Sequence, residues 1–151
     1  MGIGNSSQNQ AAQFAVELNQ AHKNLNEMHN NGMITPSFIR AVEQKLSALE
    51  TENPNMTVAA ALNRLDPQMG RFVSSAASFT QDASYLKSGK AVTLRELVAG
   101  RFATIPTYGD NQETLNDKED KRWAMIQGAI SQAGPRVWSR FSSEYSKPGI
   151  S

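Results

Sequence analysis

The chain has 151 residues, a formal net charge of +1 and no cysteine. That length fits one domain with a core large enough to need no disulfide, and the missing cysteine excludes thiolate catalysis and Cys-ligated metal sites. There is no basic start followed by an apolar run, and no run approaches the roughly 20 apolar residues of a membrane span. We therefore expect no signal peptide, no membrane span and a cytoplasmic or virion location.

The first ten residues are mostly polar and predict an N-terminal arm over 1–10. Within the arm, Gly2 and Ser6 match the short pattern for N-myristoylation. A single acyl chain needs a second membrane signal, and no basic residue stands nearby to supply one. We therefore do not expect acylation at Gly2.

A long amphipathic helix is predicted from Ser7 to Gly32. Its apolar residues recur at gaps of three and four, the spacing that keeps one stripe on one face of a helix. This stripe, called here the α1 stripe, consists of Ala11, Phe14, Leu18, Ala21, Leu25 and Met28. Gly32 suits the left-handed conformation that ends many helices.

A second helix is predicted directly afterwards, with Thr35 as its N-cap and Pro36 in its first turn. Its apolar positions repeat the same spacing: Ile39, Val42, Leu46 and Leu49. A short connection between two matched stripes predicts an antiparallel helical hairpin.

The first helix is the longer of the two, at about 33 Å against about 25 Å for the second. The turns around Ala11 and Phe14 should therefore extend beyond the hairpin and need cover from the later helices or from a second subunit. We predict a subunit contact there, formed by Ala11, Phe14 and Leu18.

Three further elements are predicted in the middle of the chain. Thr57 should cap a short helix over 58–65 that ends at Asp66-Pro67. The pattern weakens over 70–84, where Phe72, Val73 and Phe79 are candidate core residues in either a helix or a loop. After a connector over 87–90, Thr93 and Glu96 form a capping box that predicts another helix.

The last third of the chain predicts two more helices. A cap pair, Asn116 with Glu119, should start one that ends at Gly134-Pro135. Its apolar stripe is Trp123, Ile126, Ile130 and Ala133. A final helix is predicted over about 135–145, with Trp138, Phe141 and Tyr145 on one side. The fold class is therefore all-α: a compact bundle of five to six helices in one domain, 11–145, followed by a tail, 146–151.

No catalytic, metal-binding or cofactor motif stands out. His22 and His29 are seven residues apart, about 10.5 Å along a helix, which is too far to share a metal, and we expect both on the polar face. The acidic stretch that starts at Asp110 has Leu115 where a calcium loop needs glycine and Lys121 where it needs glutamate. We predict no enzyme, no metal and no cofactor.

A basic group near the C-terminus is the remaining candidate site. Residues 71–151 hold eleven Lys or Arg against eight Asp or Glu, a local excess of three positive charges. The candidate nucleic-acid contacts are Lys121, Arg122, Arg136, Arg140 and Lys147. Trp123 and Trp138 stand among them, but helical spacing places both tryptophans on apolar stripes, which favours core packing over base stacking.

The function we expect is that of a non-enzymatic structural or assembly protein whose helices contact other subunits, as a homo-oligomer or with other proteins. A small, cysteine-free, all-α chain with polar ends is similar in general style to coat, core and connector proteins of virus and phage particles. Two alternatives remain open. One is a helical nucleic-acid-binding module, and the other is a secreted effector or inhibitor that docks on a host protein.

Overall fold

A computed structural model describes residues 3–80 and 91–134, with side chains described from Gln10 onward. Six α-helices lie in these ranges: α1 (Ile3–Asn30), α2 (Pro36–Glu52), α3 (Val58–Ala61), α4 (Pro67–Ser78), α5 (Leu94–Ala99) and α6 (Gln112–Ala133). The described ranges contain no β-strand, only an isolated bridge between Thr57 and Thr93. The predicted all-α bundle is confirmed.

The bundle is organised around α1, which lies against α6 and α4. All six residues of the α1 stripe are buried, as the periodicity predicted. All of them except Ala11 belong to one core cluster with Phe72 and Val73 of α4 and with Ile126 and Ile130 of α6. None of the helices in the described ranges is both long and apolar enough to cross a membrane.

The helix that follows α1 in sequence is not its main partner. α2 lies mainly against α5, so the predicted side-by-side pairing of α1 and α2 is looser than expected. Val42, Leu46 and Leu49 are buried as predicted, and Ile39 is half-buried. Stripe spacing identifies the buried face of a helix but not the element that covers it, and α4 and α6 cover α1.

The helix ends follow their predicted chemistry in several places. Gly32 has φ 72°, and the amides of Gly32 and Met33 donate to the carbonyls of His29 and Met28, a Schellman motif. The Thr35 hydroxyl accepts from the Phe38 amide at 3.0 Å. Thr93 and Glu96 form the predicted capping box at the start of α5.

Three helix boundaries differ from the predictions. α1 begins at Ile3 instead of Ser7, so residues 3–10 continue the helix rather than form a separate arm. The predicted helix over 58–65 is divided into α3 and a 3-10 turn, Leu62–Arg64. Asp66-Pro67, predicted only as a stop, also starts α4, because the Asp66 carboxylate accepts from the Met69 amide at 2.8 Å.

The start of α6 was also predicted wrongly. Asn111 is the N-cap, and its side-chain oxygen accepts from the Thr114 amide at 2.8 Å. Asn116 lies one turn inside the helix, where it accepts from the Gln112 side chain at 2.8 Å. Asparagine is a suitable cap at either position. Asn111 is the N-cap because its backbone is extended (φ −75°, ψ 169°), as is typical of an N-cap residue, and the helix begins directly after it. The predicted connector over 87–90 and final helix over 135–145 lie outside the described residues.

Asn19 provides the first stability prediction. Its side chain is 7% exposed, and its oxygen accepts no hydrogen bond within the described structure. A buried, unsatisfied polar atom costs about 1 to 3 kcal/mol, and leucine has a similar branched shape without that atom. We expect Asn19→Leu to raise the free energy of unfolding by about 1 kcal/mol in urea denaturation. Gln13→Leu, on the exposed side of α1, is the matched control and should change little. A destabilised Asn19→Leu protein would contradict the prediction.

Candidate functional site

The predicted subunit-contact residues lie inside the chain. Ala11, Phe14 and Leu18 are 1%, 6% and 0% exposed, so they have almost no surface to offer to another subunit. The predicted contact through these three residues is therefore corrected: they are core residues.

The predicted nucleic-acid contacts are not brought together on a described surface. Arg122 is 1% exposed and cannot meet a phosphate backbone in this conformation. Lys121 is exposed, and its ammonium lies 3.3 Å from the Asp117 carboxylate one turn earlier. Trp123 is half-buried against the core, in agreement with the packing interpretation. Arg136, Arg140 and Lys147 lie outside the described residues.

Arg122 instead joins three parts of the fold. From α6, its Nε donates to Nδ1 of His22 at 3.2 Å, and its Nη2 donates to Oδ1 of Asn26 at 3.3 Å, both on α1. Its Nη1 donates to the carbonyl of Thr104, in the segment between α5 and α6. We call these four residues, with Glu119, the Arg122 cluster.

His22 is the titratable partner in the Arg122 cluster. It is 1% exposed, so the prediction of a polar-face histidine was wrong for this residue. Because an arginine Nε–H can only donate, Nδ1 of His22 must accept, and the ring proton is on Nε2. Nε2 lies 3.2 Å from Nδ2 of Asn26, a contact between two N–H groups and not a hydrogen bond in this tautomer, and 3.9 Å from Oε1 of Glu119. Burial, and then the charge of Arg122, lower the pKa of His22 to about 4, so the ring is neutral at pH 7.

The sequence contained a signal for both buried polar residues. His22 follows Leu18 by four residues and precedes Leu25 by three, so it belongs to the buried face of α1. Arg122 likewise precedes Ile126 by four. With both side chains closed to solvent, the cluster acts as a connection between elements, not as an accessible catalytic centre. Across the described residues no three potential metal ligands lie close enough to hold an ion.

A second ion pair fixes the loop that leads into α6. The Lys118 ammonium lies 2.6 Å from Oδ2 of Asp110, which also accepts from the Thr107 amide at 2.9 Å. Burial alone would raise the pKa of Asp110, but these hydrogen bonds and the charges of Lys118 and His29 outweigh it and hold that pKa below its usual value. Asp110 is therefore a partly buried structural residue, not part of a freely solvated loop.

An open groove lies between α1, α3 and α4, with Ala91 and Val92 also on its wall. It encloses about 620 Å³. Its lining is mostly small or apolar, including Ala21, Ala59, Ser74 and Ala77, and Glu17 is its one charged residue. We call it the α1–α4 groove.

Val16 makes this groove a candidate contact surface. It lies on the groove wall and is 52% exposed, one of two large apolar side chains exposed in the described structure. Asn24 also lies on the groove wall, and its side-chain oxygen accepts from Arg71 of α4 at 3.2 Å. The Arg71 guanidinium lies 3.2 Å from the Glu27 carboxylate as well. These bonds hold α4 against α1 and so keep the groove walls in place.

Comparison with known proteins gives no further assignment: no family model, no curated protein and no solved structure matches this chain.

Proposed function

We propose that this chain is a non-enzymatic assembly protein that works through helix-mediated contacts with other protein subunits, and that the α1–α4 groove forms the contact. The observation that carries the proposal is the exposed Val16 beside an open groove lined by small side chains. An apolar side chain next to a cavity can be buried further only by another surface, and because Val16 is 52% exposed, burying the rest of it contributes on the order of 1 kcal/mol.

The chemistry of the groove favours a protein partner, and we propose a second copy of the chain. Nucleic acid would require cations along the surface, but the groove lining carries one charge, the negative Glu17. A two-fold contact uses the same patch on both subunits, so the patch must contain both a protruding group and a cavity. Val16 and the small residues beside it meet that condition. A virus or phage particle is the setting we propose for such repeated contacts.

The nucleic-acid alternative has less support from the described residues. Of its predicted contacts, Arg122 is buried and Lys121 is engaged with Asp117. An effector that docks on a host protein would use the same groove, but it would not need to associate with itself. Self-association therefore separates the assembly proposal from the effector alternative.

The proposal is tested by the particle mass of wild type and of Val16→Asp, measured by light scattering over a range of concentrations. We expect wild type to associate and Val16→Asp to weaken association at least roughly tenfold, because each 1.4 kcal/mol is a factor of ten. The helical circular dichroism spectrum should be unchanged, since Val16 is exposed.

Tyr108→Asp is the matched control, because Tyr108 is the other large apolar residue exposed in the described structure and does not line the groove. It should associate like wild type. A wild-type chain that stays monomeric at the highest concentration would contradict the assembly proposal. Equal association of Val16→Asp and wild type would contradict the choice of surface.

A further inference from the structure

We propose that a cavity at the C-terminal end of α4 binds a small, neutral aromatic molecule that carries one N–H or O–H donor. The cavity encloses about 230 Å³ and lies between the end of α4 and residues 100–105, the segment that follows α5. We call it the Phe79–Phe102 cavity after two of its wall residues. It shares no lining residue with the α1–α4 groove, so the inference is independent of the proposed function.

The size of the cavity and its apolar walls limit the ligand to a small molecule. Ala76, Phe79, Phe102 and Ile105 line the cavity, and each of them belongs to the hydrophobic core. An apolar cavity of about 150 Å³ is large enough to bind benzene, whereas pockets for drug-sized molecules begin at about 300 Å³. The volume of about 230 Å³ lies between these values and therefore fits one ring or two fused rings.

The two phenylalanine rings in the wall favour an aromatic ligand over an aliphatic one. Aromatic rings attract each other in edge-to-face and offset arrangements, in addition to the area that they bury. Phe102 already forms one such contact within the core, with its ring centre 5.4 Å from that of Phe72. A ligand ring in the cavity would extend this contact, while an aliphatic molecule of the same volume would gain burial alone.

The backbone that carries Phe102 supplies an independent indication of a binding site. Arg101 and Phe102 both have φ 52°, and the Ala103 amide donates to the Gly100 carbonyl at 3.2 Å, which closes a four-residue turn. Turns with two positive φ values normally use glycine, asparagine or aspartate, because other side chains are crowded in this region. Backbone conformations of this kind are concentrated at ligand sites, where the surrounding structure maintains them. Here the turn holds the Phe102 ring in the cavity wall.

Thr80 determines the polar group that the ligand should carry. Its hydroxyl donates its only proton to the Ala76 carbonyl at 3.2 Å, so the oxygen can only accept from a ligand. The complementary group is an N–H or O–H donor on the edge of the ring. None of the described lining residues is charged, so a carboxylate would lose its hydration without a cation to replace it. The ligand should therefore be a neutral donor.

The test is an NMR titration of the full chain with three probes. Indole has an aromatic ring and an N–H donor, toluene has the ring alone, and benzoate has the ring and a negative charge. We expect indole to bind with a dissociation constant on the order of 1 mM, as is reasonable for a ligand of this size. The shifted signals should be those of 76–80 and 100–105. Toluene should bind more weakly than indole at the same residues, and benzoate should not shift them.

Two variants on α4 test the assignment of the site. Ala76→Leu fills the cavity and should abolish the binding of indole and toluene. Thr80→Val keeps the branched shape without the acceptor, so it should weaken indole binding roughly fivefold and leave toluene binding unchanged. Gln68→Leu, at an exposed position of the same helix, is the matched control and should bind both probes like wild type. If Ala76→Leu does not fold, Ala103→Leu replaces it, because Ala103 lines the cavity at an exposed position.

Three results would overturn the inference. The first is the absence of indole-induced shifts at the cavity residues at roughly ten times the expected dissociation constant. The second is indole binding of wild-type strength in a folded cavity-filling variant, which would place the ligand elsewhere. The third is equal indole affinity in Thr80→Val and wild type, which would contradict the donor chemistry assigned to the ligand.

Discussion

Replacing Arg122 with alanine is expected to lower the free energy of unfolding by about 3 kcal/mol. The substitution removes the donor from three acceptors: the buried Nδ1 of His22, and the partly buried Oδ1 of Asn26 and carbonyl of Thr104. A buried acceptor left without a donor costs about 1 to 3 kcal/mol, the two partly buried acceptors cost less because water can reach them, and removal of a buried cation offsets part of the sum. Because domains of this kind are stable by about 5 to 15 kcal/mol, the loss should be evident in urea denaturation.

Lys121→Ala is the neighbouring control. Lys121 is exposed and forms an i,i+4 pair with Asp117, so its loss should cost at most about 0.5 kcal/mol. Arg122→Lys should resemble Arg122→Ala, because an ammonium group cannot reproduce the planar fork that reaches three acceptors on two elements. If Arg122→Ala were as stable as Lys121→Ala, the cluster would not hold α6 to α1.

The buried face of each long helix could be predicted because apolar spacing is a local property. The α1 stripe and three of the four α2 positions are buried where the pattern placed them. The covering helix could not be predicted in the same way. Arg122 and His22 meet although they are 100 residues apart in sequence, and nothing local distinguishes that pairing from one between α1 and α2.

The Arg122 cluster was missed because the stripe on α6 was assigned from apolar residues alone. Trp123 and Arg122 are adjacent, and both fit the spacing to Ile126 and Ile130. Hydropathy favours the tryptophan, yet the arginine is buried and the tryptophan half-buried. Arg122 can be buried because hydrogen-bond acceptors on α1 and at Thr104 pair with its guanidinium. These acceptors can be identified only when the packing of the helices is known.

The α1–α4 groove was missed for a related reason. Val16 stands two residues after Phe14, off the α1 stripe, so an exposed valine could have been predicted from the helical pattern. The cavity beside it could not, because its other walls come from α3 and α4. Their position against α1 depends on long-range bonds such as that between Asn24 and Ser75, which are 51 residues apart.

Leu18→Asp is expected to abolish folding. Leu18 is 0% exposed and lies in the core near the middle of α1, the helix that α4 and α6 both cover. The substitution removes an apolar contact, which by itself costs about 2 to 5 kcal/mol in a leucine-to-alanine change. It also places a carboxylate at a position closed to water, at a further cost of several kcal/mol. Together the two effects are as large as the whole stability of a typical domain.

Circular dichroism checks this prediction against Gln13→Asp, which places the same side chain on the exposed side of the same helix. Gln13→Asp should keep the helical spectrum and a cooperative thermal transition, because aspartate inside an exposed helix costs only about 0.7 kcal/mol relative to the best helix former. Leu18→Asp should lose both. Because Leu18 is buried within a single chain, this loss should not depend on whether the protein associates. A cooperative transition in Leu18→Asp close to that of Gln13→Asp would mean that α1 is not the helix on which α4 and α6 depend.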